Sequence, residues 1–105
     1  KDVGVQVNCG VAYDSDLEKV EKVVLDVARK IQKITPGAIR EFQPFMRYNA
    51  FGDFNVNFWV MLMAESYVDQ HLLTHEFIKA LEMRFKKEKI KIAGPAHINK
   101  FQPSP

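Results

Sequence analysis

The sequence predicts an α+β fold, a ferredoxin-like βαββαβ two-layer sandwich with an extra short C-terminal strand. Three observations support this prediction. The hydrophobic pattern switches between a period of two and a period of three to four, in the order β, α, β, β, α, β. Clusters of Gly, Pro, Asp and Ser separate these segments. Right-handed crossovers applied to this order give four antiparallel strands with two helices on one face.

The composition describes one domain and excludes several classes of function. A chain of 105 residues can form a single core without disulfides, and the lone Cys9 permits no internal disulfide and fits a reducing compartment. A formal net charge of +2 is too balanced for an electrostatic nucleic-acid binder. No run of about 18 apolar residues predicts a membrane span, and no signal peptide is visible. Because the chain starts at Lys1 rather than Met, we expect it to be part of a longer protein.

The first strand and the first helix follow from their periodicity. Residues 3–11 place valines and Cys9 at the odd positions, which predicts a strand with one buried face. A helix is expected to begin at Asp14-Ser15-Asp16, where an oxygen side chain at position 14 or 15 can accept from free backbone N–H groups. Its apolar positions recur at spacings of three and four: Leu17, Val20, Val24, Val27, Ala28 and Ile31. Thr35-Pro36-Gly37 ends the helix because proline cannot continue the hydrogen-bond ladder.

Residues 45–51 and 56–64 are predicted to form a hairpin around Gly52-Asp53. In its second strand one face carries Val56, Phe58, Val60, Leu62 and Ala64, and the other carries Asn57, Trp59, Met61 and Met63. An even-length loop would place Arg47 on the Val56 face, whereas a bulge would place Met46 and Tyr48 there. We favour the bulge, because burying an unpaired arginine is costly.

The last third of the chain predicts a second helix and two short strands. Ser66-Tyr67-Val68-Asp69 resembles a capping box and opens a helix through about Lys87, with a buried stripe of Leu73, Phe77, Ala80, Leu81 and Phe85. Residues 90–92 complete the sandwich as its fourth strand. Residues 97–101 form the extra strand, so we divide the chain into a sandwich domain, 1–95, and a C-terminal strand segment with its tail, 96–105.

No set of residues in the sequence predicts an active site. His71 and His75 would share one helix face, but zinc sites need three or four ligands, so ordinary surface histidines explain them better. Cys9 falls on the buried face of its strand, where a thiol is more often inert packing than a nucleophile. The glycines stand singly and form no phosphate loop. We therefore expect no enzyme activity, no catalytic or metal-binding residue and no cofactor.

Trp59, Met61 and Met63 are the most informative apolar residues. In a two-layer sandwich they would lie on the sheet face opposite the helices, which this chain does not cover. Burial under further structure and a surface for assembly explain them equally well.

Three sequence blocks carry a resemblance to a known family. They are Tyr13-Asp14-Ser15-Asp16-Leu17-Glu18-Lys19-Val20, then Pro44-Phe45-Met46-Arg47-Tyr48-Asn49-Ala50-Phe51-Gly52-Asp53 continuing to Val56-Asn57-Phe58, and Phe85-Lys86-Lys87-Glu88-Lys89-Ile90-Lys91-Ile92. In this order they resemble the C-terminal α/β domain of small-conductance mechanosensitive channels.

The resemblance implies a non-catalytic domain on the cytoplasmic side of a cell membrane, belonging to an integral membrane parent. It implies self-association, as a homo-heptamer, around a vestibule that contributes to the ion path, and it implies no nucleic-acid partner. It also implies that His97, Ile98, Asn99, Lys100 and Phe101 form the strand that each subunit gives to a small C-terminal β-barrel.

Two alternative hypotheses belong to other classes of protein. The first is a free-standing ferredoxin-like module that binds a small ligand or a partner protein through its exposed sheet face. The second, which the ligand spacing disfavours, is a metal-dependent enzyme that uses His71, His75 and nearby acids.

Overall fold

The computed structural model describes residues 2–93. The elements are β1 Val3–Ala12, α1 Leu17–Ile34, β2 Phe45–Phe51, β3 Asn55–Ala64 and α2 Tyr67–Glu88. The predicted strand at 97–101 and the predicted domain boundary between residues 95 and 96 lie outside the described residues.

The sheet is antiparallel and runs in the order β1-β3-β2, with β3 in the centre. Val5 pairs with Leu62 in the β1–β3 ladder, and Tyr48 pairs with Phe58 in the β2–β3 ladder. Between residues 2 and 93 the sheet therefore has three strands and not the four expected. The α+β class and the β-α-β-β-α order are confirmed, whereas the complete ferredoxin-like strand order is not.

The predicted fourth strand, residues 90–92, is not confirmed, because within the described residues this segment forms one antiparallel bridge with β1 rather than a strand. Lys89 ends the helix in the left-handed conformation, with φ 60°. Residues 91–93 pair with the end of β1, where Ile92 bridges Val11. The amide of Ala12 donates to the carbonyl of Lys91 at 3.1 Å, and the amide of Ala93 donates to the carbonyl of Gly10 at 3.0 Å. A Cβ at Gly10 would collide with the carbonyl oxygen of Ala93, so glycine permits this approach.

The hairpin contains the bulge that the cost of burying an arginine predicts. Tyr48 pairs with Phe58 but Ala50 pairs with Asn57, so Asn49 is the extra residue. Met46 is consequently buried and Arg47 exposed. The Tyr48 hydroxyl donates to the carbonyl of Leu17 at 2.6 Å, and burial raises the pKa of Tyr48 to about 12.

The connection between the hairpin strands is one residue shorter than the predicted strand bounds imply. Residues 52–54 separate the two strands, and the amide of Gly52 donates to the carbonyl of Asn55 at 2.7 Å. The second strand thus begins at Asn55 rather than at Val56.

Both helices are capped by side-chain oxygens. Asp16 caps α1 by accepting from the amides of Glu18 and Lys19, so the cap lies after the predicted positions 14 and 15. Thr35 ends α1 as predicted, and Gly37 beyond it adopts φ 86°. Ser66 caps α2 by accepting from the amide of Asp69 at 3.3 Å, as the capping-box pattern predicts.

The core lies between the helices and one face of the sheet. The predicted stripes of α1 and α2 are buried, apart from Leu17 and Ala80, which are partly buried. From the sheet the core takes Val5, Val7, Val11, Met46, Val56, Phe58, Val60, Leu62 and Ala64. Both helices thus cover the same face, and neither described helix is long and apolar enough to cross a membrane.

Gln32 is a fully buried polar residue on α1 that the helical pattern does not reveal. Its Nε2 donates to the carbonyls of Ile39 and Met63, at 2.7 and 2.8 Å, and its Oε1 accepts from the amide of Met63 at 3.2 Å. One side chain therefore joins α1, the following loop and the end of β3.

Candidate assembly surface on the open face of the sheet

The central strand β3 separates a covered face from an open one. Phe58, Val60 and Leu62 point to the helices and are at most 1 % exposed. Trp59, Met61 and Met63 alternate with them, point to the other side and are partly exposed. The period of two predicted this division. We refer to the second side of the sheet, with Trp59 at its centre, as the open face.

An aromatic cluster occupies the part of the open face formed by β2 and β3. The rings of Trp59 and Phe45 meet edge to face with centroids 5.8 Å apart. The ring centroid of Phe42, in the loop before β2, lies 6.3 Å from that of Phe45. The Arg47 guanidinium lies 5.5 Å from the centroid of the Phe45 ring, in a cation–π arrangement. Tryptophan and arginine are enriched among the residues that dominate binding energy at protein interfaces.

The Arg47 guanidinium on this face can still bind a carboxylate. Its Nη1 donates to the carbonyl of Met46 at 2.7 Å. No carboxylate among residues 2–93 forms a salt bridge with it. A carboxylate from another molecule could therefore pair with the guanidinium beside an apolar surface, where such hydrogen bonds are stronger than in water.

The β1 side of the open face is polar. Gln6 lies opposite Met61 and Asn8 opposite Trp59 in the β1–β3 ladder. Gly4 contributes no side chain, and a Cβ there would lie 3.4 Å from Sδ of Met61. The open face thus combines an aromatic ridge with a low polar strip, which is the composition of a surface that can bind another protein.

A second exposed aromatic group, which the sequence reasoning missed, lies at the hairpin turn. Tyr13, Phe51 and Phe54 are 50, 77 and 76 % exposed. The rings of Tyr13 and Phe51 stack at 6.2 Å, and the Tyr13 hydroxyl donates to the carbonyl of Gly52. The available signal in the sequence was the pair of phenylalanines, Phe51 and Phe54, on either side of Gly52-Asp53.

The remaining candidates do not come together as a site. His71 and His75 are both exposed on α2. Residues 2–93 contain no group of three or more His, Cys, Asp or Glu side chains that could hold a metal ion. Burial raises the pKa of the Cys9 thiol to about 12, which disfavours the reactive thiolate.

Residues 5–92 match the family model described as "Mechanosensitive ion channel MscS, C-terminal". The match runs from the first buried residue of β1 to the bridge at Ile92 and includes Trp59, Met61 and Met63. The chain belongs to this family.

The resemblance to mechanosensitive channels is thereby confirmed at the level of the family, which is one of ion channel domains. No curated protein matches the chain. Among solved structures, the chain is similar to the one described as "Crystal Structure of Helicobacter pylori MscS (Closed State)", with a TM-score of 0.69 and 21 % sequence identity. The alignment covers 99 % of this chain and 38 % of that chain. At this identity the similarity shows the fold alone. The present chain corresponds to well under half of the length of the Helicobacter pylori chain.

Proposed function

We propose that this MscS C-terminal domain is a non-catalytic part of a homo-heptameric mechanosensitive channel, lies on the cytoplasmic side of the membrane and helps to form a vestibule on the ion path. Membership of the channel family supports the class of parent protein. The observation that carries the assembly role is the open face, which keeps Trp59, Met61 and Met63 partly exposed opposite both helices. Burying such apolar surface contributes roughly 25 cal/mol per Å².

In this proposal Trp59, Met61 and Met63 contact a neighbouring subunit, with Phe45 and Arg47 beside them. A ring of more than two subunits is built from heterologous contacts, in which a patch meets a different patch of the next subunit. The open face would therefore meet another surface of the neighbour. A carboxylate on that surface is the partner that the exposed Arg47 favours.

The C-terminal segment has a separate role in the proposal. His97, Ile98, Asn99, Lys100 and Phe101 would contribute one strand per subunit to a closing β-barrel. Barrel closure pairs every strand edge, which explains why a short strand would follow a domain whose sandwich is already formed. The support for this role is the family resemblance together with the position of the segment after the matched residues 5–92.

The vestibule would also act on ions. Rings of charged side chains around a pore bias which ions enter, because each subunit repeats the same charge around the axis. Tension sensing would belong to membrane segments outside this domain.

The coding sequence upstream of Lys1 tests the class of protein. We expect it to encode apolar spans long enough to cross a membrane. A start codon directly before Lys1, with no coding sequence upstream, would contradict the channel proposal and favour a free-standing binding module.

Charge insertion tests the assembly surface in the longer protein. We expect Met61→Lys to weaken subunit association at least tenfold, because an unpaired charge buried at an interface is strongly unfavourable. Native mass spectrometry of the detergent-solubilised protein measures the distribution of oligomers. Ile78→Lys, which inserts the same charge at an exposed position on α2, is the matched control. If Met61→Lys and the unsubstituted protein showed the same distribution of oligomers, the proposal that the open face contacts a neighbouring subunit would be wrong.

A further inference from the structure

A second apolar surface lies on the helix layer, in a groove between α1 and α2. Its volume is about 270 Å³, and it is lined by Val27, Lys30, Ile31, Ala80, Met83, Arg84 and Lys87. Val27 and Ile31 form a buried apolar floor, whereas the Met83 side chain stands at the side and is 66 % exposed. A long unbranched thioether that is exposed beside an apolar floor can adapt to a bound chain.

The rim of the groove is basic, and its charges differ in availability. Arg84 is held by two carboxylates: its Nη1 lies 2.7 Å from Oδ2 of Asp26, and its Nε lies 3.1 Å from Oε2 of Glu88. Lys30 and Lys87 are exposed and form no salt bridge with any carboxylate of residues 2–93. Two cations that form no salt bridge within the described residues thus flank an apolar floor.

The size of the groove favours a small molecule over a protein. A stable protein interface buries roughly 800 Å² on each partner. Small-molecule sites begin at about 300 Å³, close to the size of this groove. The combination of a narrow apolar floor with cations at its rim matches a molecule that has one apolar chain and one anionic end.

We propose that this groove binds a single-chain anionic amphiphile, with its chain on Val27, Ile31 and Met83 and its anionic group between Lys30 and Lys87. A medium-chain fatty-acid carboxylate has this chemistry. The proposal is independent of the channel assembly proposed above, because the groove lies on the helix layer and the open face lies on the other side of the sheet.

Titration with sodium decanoate below its micelle concentration tests the binding. Isothermal calorimetry measures affinity, and the methyl resonance of Met83 reports the place of binding in a protein with labelled methionine methyl groups. We expect the Met83 methyl signal to move while that of Met61, on the open face, stays in place. Decanoate should bind up to about fifteenfold more tightly than octanoate, because it has two more methylenes and each fully buried methylene is worth roughly fourfold in affinity. Decyltrimethylammonium, with the same chain and a cationic end, should bind at least tenfold more weakly than decanoate.

Variants separate the groove from the rest of the surface. Lys30→Gln with Lys87→Gln should weaken decanoate binding about fivefold, and Met83→Glu should abolish it. Lys22→Gln with Arg40→Gln removes the same net charge at exposed positions outside the groove and should leave the affinity unchanged.

Three results would overturn the proposal. They are the absence of heat and methyl shifts up to the micelle concentration, equal binding of decanoate and decyltrimethylammonium, and equal weakening by the two double variants. A change in self-association on substitution of Met83, without decanoate binding, would assign the groove to a second copy of the chain instead. None of these outcomes depends on whether Met61→Lys disrupts the channel oligomer, so the two proposals can fail separately.

Discussion

Phe58 and Trp59 are neighbours on β3, and they contrast the two faces of one sheet. Phe58 is 1 % exposed and lies under the helices, where its ring meets that of Tyr48 edge to face at 5.7 Å. Trp59 is partly exposed and meets Phe45 at a similar distance, 5.8 Å, on the open face. The two residues have similar hydrophobicity and similar aromatic contacts. What distinguishes them is the helix layer, which makes one side chain part of the folding core and leaves the other available for binding.

Truncating these two neighbours should give the largest difference between the faces. Phe58→Ala should lower the free energy of unfolding by about 3–5 kcal/mol, because it opens a cavity in the core. Trp59→Ala should lower the free energy of unfolding by only about 1 kcal/mol, since substitutions of partly exposed residues away from the core usually cost little. Urea unfolding followed by circular dichroism measures both values. Equal losses would mean that the open face is also part of the core.

Polar side chains allow the same comparison. Gln32→Leu should cost about 1–3 kcal/mol, because it removes three hydrogen bonds of a fully buried side chain, although the carbonyls of Ile39 and Met63 keep the amides of Phe42 and Ile39 as donors. Gln6→Leu on the open face is the matched control, since Gln6 is exposed and its one side-chain hydrogen bond within residues 2–93 goes to Asn8 at 3.3 Å. We expect the control to stay within about 0.5 kcal/mol of the unsubstituted protein. A loss of less than 0.5 kcal/mol for Gln32→Leu would show that water replaces its hydrogen bonds.

The contrast between the faces was partly readable from the sequence, and the reasons are local. Alternation along β3 assigned Phe58 and Trp59 to opposite faces, because successive side chains of a strand point to opposite sides. The cost of burying Arg47 predicted the bulge, and with it the burial of Met46. The capping pattern at Ser66 predicted where α2 begins.

The features that the sequence did not predict depend on tertiary contacts. Gln32 is a polar residue between Ile31 and Lys33, and its amide finds hydrogen-bond partners only in the loop at Ile39 and at the end of β3 within the described chain. Residues 90–92 have the composition of a strand, but in the described chain up to residue 93 they form only one bridge, with the end of β1. The family match and the open face support the proposed assembly surface, whereas the neighbour's contact residues cannot be read from one chain.

The ion pairs of Arg84 with Asp26 and Glu88, on the outer surface of the helices, should contribute least to stability. Their contribution should depend on pH. The hydrogen bond and charge of Arg84 hold the pKa of Asp26 and that of Glu88 below their ordinary values. A carboxyl with a lowered pKa in the folded state stabilises the protein above its unfolded pKa, about 4, and loses that contribution as the pH falls through the folded value.

We therefore expect stability to fall as the pH is lowered below about 4, the ordinary carboxyl pKa, and Asp26→Asn to reduce that dependence slightly. Arg84→Gln removes the same ion pair from the other side. The loss of stability in the double variant should therefore be smaller than the sum of the losses in the two single variants. Urea midpoints between pH 2 and pH 7, a range that brackets ordinary carboxyl pKa values, measure the effect. Fully additive changes would show that the pair contributes nothing.

The four methionines allow the most direct test of the open face as the assembly surface. Met61 and Met63 lie on that face, Met46 is buried under the helices, and Met83 lies on the outer side of the helix layer. In protein with labelled methionine methyl groups, spectra recorded from micromolar to millimolar protein should show concentration-dependent shifts or broadening for Met61 and Met63, with Met46 and Met83 unchanged. Shifts confined to Met83, or four signals that stay constant at every concentration, would contradict the assignment of self-association to the open face.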